Sequence, residues 1–397
     1  MPCRLLHTRP GHPGDRGSTA REGQGIASGR GHSGPTTFSL QDLTTGMARP
    51  GDTARSSTWS RLLIALLLSG LFLYLALRGE DWQRVGQTLL EADYRWVLPM
   101  AGMGVFSLFV RTQRWRLLLN ISSGRQLPLA PLFSASAVGF MSNMLLPFRV
   151  GEVIRPWLAS RNTGVPMSLA VATVVLERVL DLIALLGFAL LLLVQLDLPA
   201  EVELWIRGAG VVALTAVVIL IVVRFNRERM LPLLDRIWGV LPARISQPLV
   251  KLEHQFIDAL VAVGDLRTLL LLLAWSFYVW GAIAASFALG FPAFDLELPY
   301  VQGGIGVTTL VALAVAVPSA PGFWGTFEYG SRLALESVYG TPAVLAVGYA
   351  FFTHFVQFST QVVLGLVYLV KEGLSFGELG RLGKTSAPGQ TGDVPSQ

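Results

Sequence analysis

Between residues 62 and 370 the chain passes through eight apolar stretches, at 62–77, 96–108, 131–146, 167–194, 208–223, 269–289, 301–317 and 341–370. Several approach the roughly 20 residues that a helix needs to cross a bilayer. Charged residues make up 14% of the chain and hydrophobic ones 52%, whereas a soluble globular chain carries about 25% charge. The expected class is an all-α polytopic membrane protein. The 31 Lys and Arg against 26 Asp and Glu give a net charge of +5. In a membrane protein this excess reports orientation and affinity for anionic lipid headgroups before nucleic acid, and no basic, aromatic-interleaved module is present to bind nucleic acid. The one cysteine, Cys3, and the scattered histidines have no ligand-type spacing. Neither a metal nor a cofactor is expected.

Residues 1–58 are rich in Gly, Pro, Ser, Thr and Arg and are expected to be a disordered tail, with Met47 an alternative start of translation. A membrane domain is expected over 59–372, followed by a disordered tail over 373–397. After the run 62–77, Trp82, Val85, Leu89 and Leu90 recur at helical spacing among charges, the pattern of an interfacial amphipathic helix; a solvated connector is the alternative. The arginines of 111–116 read as a cytoplasmic anchor. The run 167–194 carries Glu177, Arg178 and Asp181. Glu177 and Asp181 are four residues apart and share a helix face, and charges within a span mark a pathway or a buried pairing. Alternatively the span starts lower and leaves Glu177 and Arg178 at the interface. Segment 224–267 is basic with an amphipathic pattern, and the last run bears His354, Gln357 and Gln361.

Two of the runs end in similar breaks. The run 131–146, short for a span, closes on Leu146-Pro147-Phe148-Arg149-Val150-Gly151-Glu152-Val153-Ile154-Arg155-Pro156, and 301–317 closes on Pro318-Ser319-Ala320-Pro321-Gly322-Phe323-Trp324-Gly325-Thr326-Phe327-Glu328. Non-helical backbone at membrane depth persists only where protein or a water-filled cavity satisfies it. Proline and glycine free backbone groups there, and a helix N-terminus favours phosphate. Arg149 and Arg155 have the chemistry to grip a phosphodiester, and Glu152 and Glu328 to pair with those arginines or meet a cationic headgroup. The plainer alternative is that Arg149 and Glu152 neutralise each other and pin the hairpin.

Arginine-rich segments at the N-terminus, 111–125, 149–161, 224–267 and 371–384 place themselves in the cytoplasm, with both termini, and the acidic loops 197–203 and 291–299 outside. This sorting requires the run 131–146 to enter and return on the cytoplasmic side and the segment 301–338 to enter and return from outside. The expected arrangement is about six full spans plus two re-entrant helical hairpins, the second half an inverted copy of the first; eight full spans is the alternative. The expected site is the cytoplasmic membrane.

Pro147-x-Arg149-x-Gly151-Glu152-x-x-Arg155, Glu177-Arg178-x-x-Asp181 and Pro321-Gly322-x-x-Gly325-x-x-Glu328 together resemble the lysylphosphatidylglycerol synthase transmembrane, or flippase-like, family over roughly residues 60–372. The resemblance implies lipid handling along a headgroup path formed by Arg149, Gly151, Glu152, Arg155, Glu177, Arg178, Asp181, Pro321, Gly322, Gly325 and Glu328, to which the intramembrane His354 is added. In relatives a soluble aminoacyltransferase domain follows the membrane part; here 26 residues follow Lys371, so lysyl transfer is not expected and no catalytic residue is assigned. Expected partners are membrane lipids, an anionic phospholipid or a lipid-linked headgroup, with a separate synthase or glycosyltransferase as a further partner. A membrane-embedded transferase on a lipid-linked substrate and a scaffold for a lipid synthase are the rival readings.

Overall fold

The computed structural model describes residues 52–385 apart from 239, 241, 242 and 263. The chain divides into a unit of residues 1–54, of which only 52–54 are described, and a unit from Arg55 onward that carries everything below. Most of the expected N-terminal tail, Met47 and residues 386–397 thus lie outside the described residues. Two differences are visible at the edges. Helix α1, Asp52–Leu77, begins before residue 59, and α14, Phe376–Thr385, occupies part of the expected C-terminal tail. Ser375 and Glu378 start α14 with reciprocal bonds, Ser375 N–H to Glu378 Oε2 (2.7 Å) and Glu378 N–H to Ser375 Oγ (3.3 Å).

Every described element is helical. Between α1 and α14 lie α2 (Trp82–Glu91), α3 (Val97–Ser123), α4 (Leu129–Leu145), α5 (Gly151–Thr163), α6 (Met167–Gln195), α7 (Ala200–Phe225) and α8 (Arg227–Trp238). They are followed by α9 (Ala243–Ala262), α10 (Leu266–Ala288), α11 (Tyr300–Ala316), α12 (Thr326–Arg332) and α13 (Ala343–Lys371). Proline directly precedes α4, α6, α7, α11 and α13, where its fixed φ suits helix entry and its missing N–H costs nothing. Asp265 caps α10 by accepting from Thr268 N–H at 3.2 Å, and the Thr268 side chain and then this backbone bond hold its carboxyl below the usual range.

Among the described residues three helices are long and apolar enough to cross a membrane, Ala200–Ile219, Leu266–Phe294 and Ala343–Lys371, while α1 and α2 form a pair bent by 80°. Helix α2 turns Val85 inward and leaves Trp82 and Leu90 exposed. Helices α4 and α11 are apolar but only 17 residues long. Helix α6 is 29 residues long and carries its charges within an apolar sequence. The expected class holds: this is an all-helical membrane protein.

Helix lengths recur between the halves. Helix α4 (17 residues), a three-residue 3-10 turn, α5 (13) and α6 (29) are matched by α11 (17), a three-residue turn, seven residues of α12 continued by six of π-helix, and α13 (29). The two sets interlock, with α4 packed against α13 and α11 against α6, while α3 lies along α10. One core gathers Phe287, Phe291, Tyr349 and Phe352; a second gathers Trp115, Leu132, Met141 and Ile154. Helix α9 buries Ile257 and Ala259, the latter in a small cluster with Leu176 and Leu180 of α6.

Candidate functional site

The first break lies between α4 and α5. Leu146 is extended ahead of Pro147, and Phe148 and Arg149 follow with φ of 64° and 51°, left-handed backbone that costs energy outside glycine. Three of the four described non-glycine residues of this kind, Phe148, Arg149 and Phe323, lie in the two breaks. Strain of this sort persists where surrounding structure holds it and gathers at functional segments. Helix α5 then packs back on α4 so closely that a Cβ at Gly151 would collide with the Gly139 carbonyl and the Asn143 side chain. Arg149 is exposed and forms no ion pair with Glu152. Its guanidinium donates to the Val315 carbonyl at the end of α11 and lies 5.3 Å from the Phe323 ring centre. The first break is thus tied to the second, and the reading in which Arg149 and Glu152 simply close on each other is corrected. Glu152 is half-buried and interacts at longer range with Arg149, Arg155 and Arg178.

Beneath the break lies a buried ion network. Glu177 and Asp181 of α6 do share one face, and three helices send arginines to it. Arg155 of α5 donates to Glu177 Oε2 at 2.7 Å, and Arg114 of α3 bridges Glu177 Oε1 (3.2 Å) and Asp181 Oδ1 (2.7 Å). Arg111 of α3 donates to Asp181 Oδ2 at 3.0 Å, and Arg178 approaches the same oxygen at 3.5 Å. Trp280 of α10 adds a bond from Nε1 to Asp181 Oδ1 at 3.0 Å. Arg155 also donates to Ser136 and lies 3.9 Å from the Trp115 ring centre, and Arg114 donates to Ser276. Burying charges at these positions is favourable only because pairing and hydrogen bonding offset desolvation. By direct pairing four guanidiniums meet two carboxylates, a surplus of two that Glu152 reduces at longer range, and the Arg178 side chain is 43% exposed. Arg114 Nε, Arg155 Nη2 and Arg178 Nε are buried without a hydrogen-bond partner.

The second break closes on itself instead. Gly322 and Phe323 have φ of 74° and 63°, and Gly325 starts α12 with φ of 90° where a Cβ would collide with α1 at Ser69 and Leu73. Glu328 Oε2 accepts from Gly325 N–H at 2.7 Å, and its Oε1 lies 2.5 Å from His354 Nδ1. His354 Nε2 lies 2.8 Å from the Gly322 carbonyl, while its ring stacks on Phe327 at 4.1 Å. A carbonyl only accepts, so Nε2 carries a proton, and a further proton lies between Nδ1 and Oε1, held by the imidazole or by the carboxyl. His354 and Glu328 are both almost fully buried.

The expected site residues therefore separate into three groups. Arg155, Glu177, Arg178 and Asp181 meet in the network, with Gly151 setting the approach of α5. Pro321, Gly322, Gly325, Glu328 and His354 form the second lock, and Arg149 and Glu152 stand at the more open edge of the first break. The expected pairing of Glu328 with the arginines is corrected, since Glu328 pairs with histidine and a backbone N–H, while Arg155 is paired with Glu177. Arg111 and Arg114, read from sequence as anchors, are 6% and 0% exposed and complete the network. Their signal was present in two features. They are three residues apart on one face, and a pair of carboxylates inside a span demands cations. Among the described residues no three His, Cys, Asp or Glu side chains cluster as a metal would need.

A surplus of buried cation beside a strained break suits an anionic group. Comparison with known proteins matches the chain to a family of membrane proteins. The family described as the lysylphosphatidylglycerol synthase TM region matches residues 62–365. The chain is 30% identical over 193 residues to a UPF0104 membrane protein of Methanocaldococcus jannaschii, covering 47% of this chain and 75% of that protein. It is 24% identical over 340 residues to glycosyltransferase AglD of Haloferax volcanii, covering 77% of this chain and 53% of that protein, about half its length. No solved structure matches.

Proposed function

This chain belongs to the lysylphosphatidylglycerol synthase TM region family, and on that premise we propose that it handles a membrane lipid with an anionic headgroup, carrying it between leaflets. The observation that carries the reading is the cation surplus of the α3–α5–α6 network beside the Arg149 break. A phosphate entering at Arg149 and Glu152 meets uncompensated positive charge in a low-dielectric surround, where attraction is strong. The acyl tails remain in lipid. The matched helix lengths, 17, 13 and 29 residues in each half, support an inverted repeat of about six spans and two re-entrant hairpins. In this reading the protein sits in the cytoplasmic membrane with both termini and segment 224–267 in the cytoplasm.

The test is leaflet exchange of labelled phospholipids in vesicles holding the wild type or Arg149→Ala/Glu152→Ala. Exchange above that of empty vesicles, lost in the double variant, is expected. No exchange of anionic, zwitterionic or isoprenoid-linked lipids by the wild type would sink the reading. The similarity to glycosyltransferase AglD favours a second reading, a transferase acting on a lipid-linked substrate. It predicts a new lipid mass when the protein is supplied with cell membranes.

A further inference from the structure

Each break is joined to the helix behind it by a pair of ionisable groups, and one of the two pairs can change its charge. Arginine keeps its proton in proteins, so Arg155 and Glu177 stay ionised, whereas the carboxyl of Glu328 and the imidazole of His354 each gain and lose one. Glu328 is 1% and His354 2% exposed, and carboxyl and imidazole groups paired inside a membrane domain mark proton paths. The lock fixes how many protons it holds. The Gly322 carbonyl keeps Nε2 protonated and the Gly325 N–H occupies Oε2, so the variable proton sits in the 2.5 Å contact of Nδ1 with Oε1. With that one proton the pair is neutral and closed. Without it two lone pairs oppose each other and a buried negative charge remains. With a second, the carboxyl O–H finds no acceptor in the lock, because Oε1 meets a protonated Nδ1 and Oε2 meets an N–H. A second proton therefore opens the turn 322–325, whose backbone is already strained at Phe323.

The same turn meets Arg149. Its guanidinium lies 5.3 Å from the Phe323 ring centre, and Phe323 directly follows the Gly322 carbonyl that holds His354. Other charged groups on the elements packed against α13 are committed or exposed. Arg111 and Arg114 of α3 pair with Asp181 and Glu177, and Arg116 donates to the Leu127 carbonyl. Arg332 of α12 pairs with Glu80 and Glu336. Arg84 and Glu91 of α2 are exposed, and α4 carries no charged residue. An anion arriving at Arg149 thus comes to rest beside a pair able to take up the compensating charge.

We propose that the Glu328–His354 pair is a proton-binding site, and that one proton taken up there accompanies each anionic headgroup moved, as a symport. The proposal rests on the lipid-handling reading and adds its energy source. The empty lock with one proton is neutral, and so is the loaded one, whose second proton balances the headgroup charge. Neither half of the cycle then moves net charge against the membrane potential. Linkage is reciprocal: an anion at Arg149 raises the affinity of the pair for the second proton, and that proton raises the affinity for the anion.

The test uses the purified full chain in phosphatidylcholine vesicles carrying a trace of labelled phosphatidylglycerol. With the lumen about one pH unit above the medium, a one-proton symport gives about a tenfold excess of label in the inner leaflet, beyond that of empty vesicles. Glu328→Gln and His354→Gln should each erase the excess. A second readout leaves the pair intact and needs no transport. The Trp324 ring lies 4.5 Å from the His354 ring. Its fluorescence in detergent, taken as wild type minus Trp324→Phe, should titrate between about pH 5 and pH 8. Phosphatidylglycerol should move the midpoint upward in the wild type and leave it in place in Arg149→Ala. Label that exchanges to equal leaflets in the wild type overturns the symport and leaves translocation standing. A flat Trp324 signal, or a midpoint that phosphatidylglycerol does not move, overturns the proposal even where the Gln variants fail to fold. A midpoint that moves with phosphatidylglycerol, without leaflet exchange, supports the linked proton and anion sites and sinks translocation.

Discussion

At the first break Arg155 of α5 reaches Glu177 of α6 at 2.7 Å, and at the second Glu328 of α12 reaches His354 of α13 at 2.5 Å. In each half the helix leaving the break is joined to the 29-residue helix behind it by one pair of ionisable groups, with the signs exchanged. The surroundings differ more than the pairs do. Three further arginines join the first pair through Asp181, whereas the second pair is completed by two backbone groups of its own turn, the Gly325 N–H and the Gly322 carbonyl. One break ends in a cluster with charge to spare and the other in a closed lock. Equal backbone plans therefore do not imply equal chemistry, and the proposed lipid path is placed on the side whose charges are unbalanced.

The contrast breaks most visibly at Asp181. Asp181→Ala takes the shared carboxylate from three arginines, and removing one side of a buried pair costs about 3–5 kcal/mol. A fall of that size in unfolding free energy in detergent is expected; little change would mean that the arginines are held by other partners. Gly325→Ala comes next. Its Cβ would meet Leu73 N at 2.9 Å on a backbone of φ 90°, for a loss of about 2–3 kcal/mol read in the same unfolding experiment. Glu328→Gln keeps the shape of the lock and replaces the carboxyl–imidazole contact by an amide one, and should cost about 1–2 kcal/mol. A double-mutant cycle with His354→Gln sharpens the comparison, because coupling there should be weaker than for Glu177→Gln with Arg155→Gln. Arg149→Ala has the smallest effect on stability, within about 0.5 kcal/mol for an exposed side chain. Lipid exchange by the same variant should drop about tenfold, or 1.4 kcal/mol. A large stability loss would instead make the bond to Val315 a pin between the breaks.

Much of this site could be read before folding, and the unreadable part has a definite cause. Glu177 and Asp181 stand out because carboxylates four residues apart interrupt an apolar run. Pro147, Gly151, Pro321 and Gly325 stand out because proline and glycine interrupt apolar helical runs. Arg111 and Arg114 were misread because arginine near the end of an apolar run serves equally as an anchor. Only the fold turns their shared face toward α6, some 63 to 70 residues away along the chain. Glu328 and His354 were both conspicuous, but nothing local says that a carboxylate after one break meets an imidazole 26 residues on and not an arginine of the other break. The helix Phe376–Thr385 was hidden by Gly- and Ser-rich composition, which a short capped helix overrides, and the start at Asp52 extends the first apolar helix N-terminally.

Composition and hydropathy determined that this is a helical membrane protein, and proline and glycine determined where its short helices stop. Both follow from transfer free energy and backbone torsion, which act within a few residues. Which charges neutralise one another, which arginines remain in surplus and which helix carries the second lock's histidine to its carboxylate were decided by tertiary structure. Electrostatic and hydrogen-bond partners are selected by distance in space at low dielectric, and that distance exists only once the two sets of helices have interlocked.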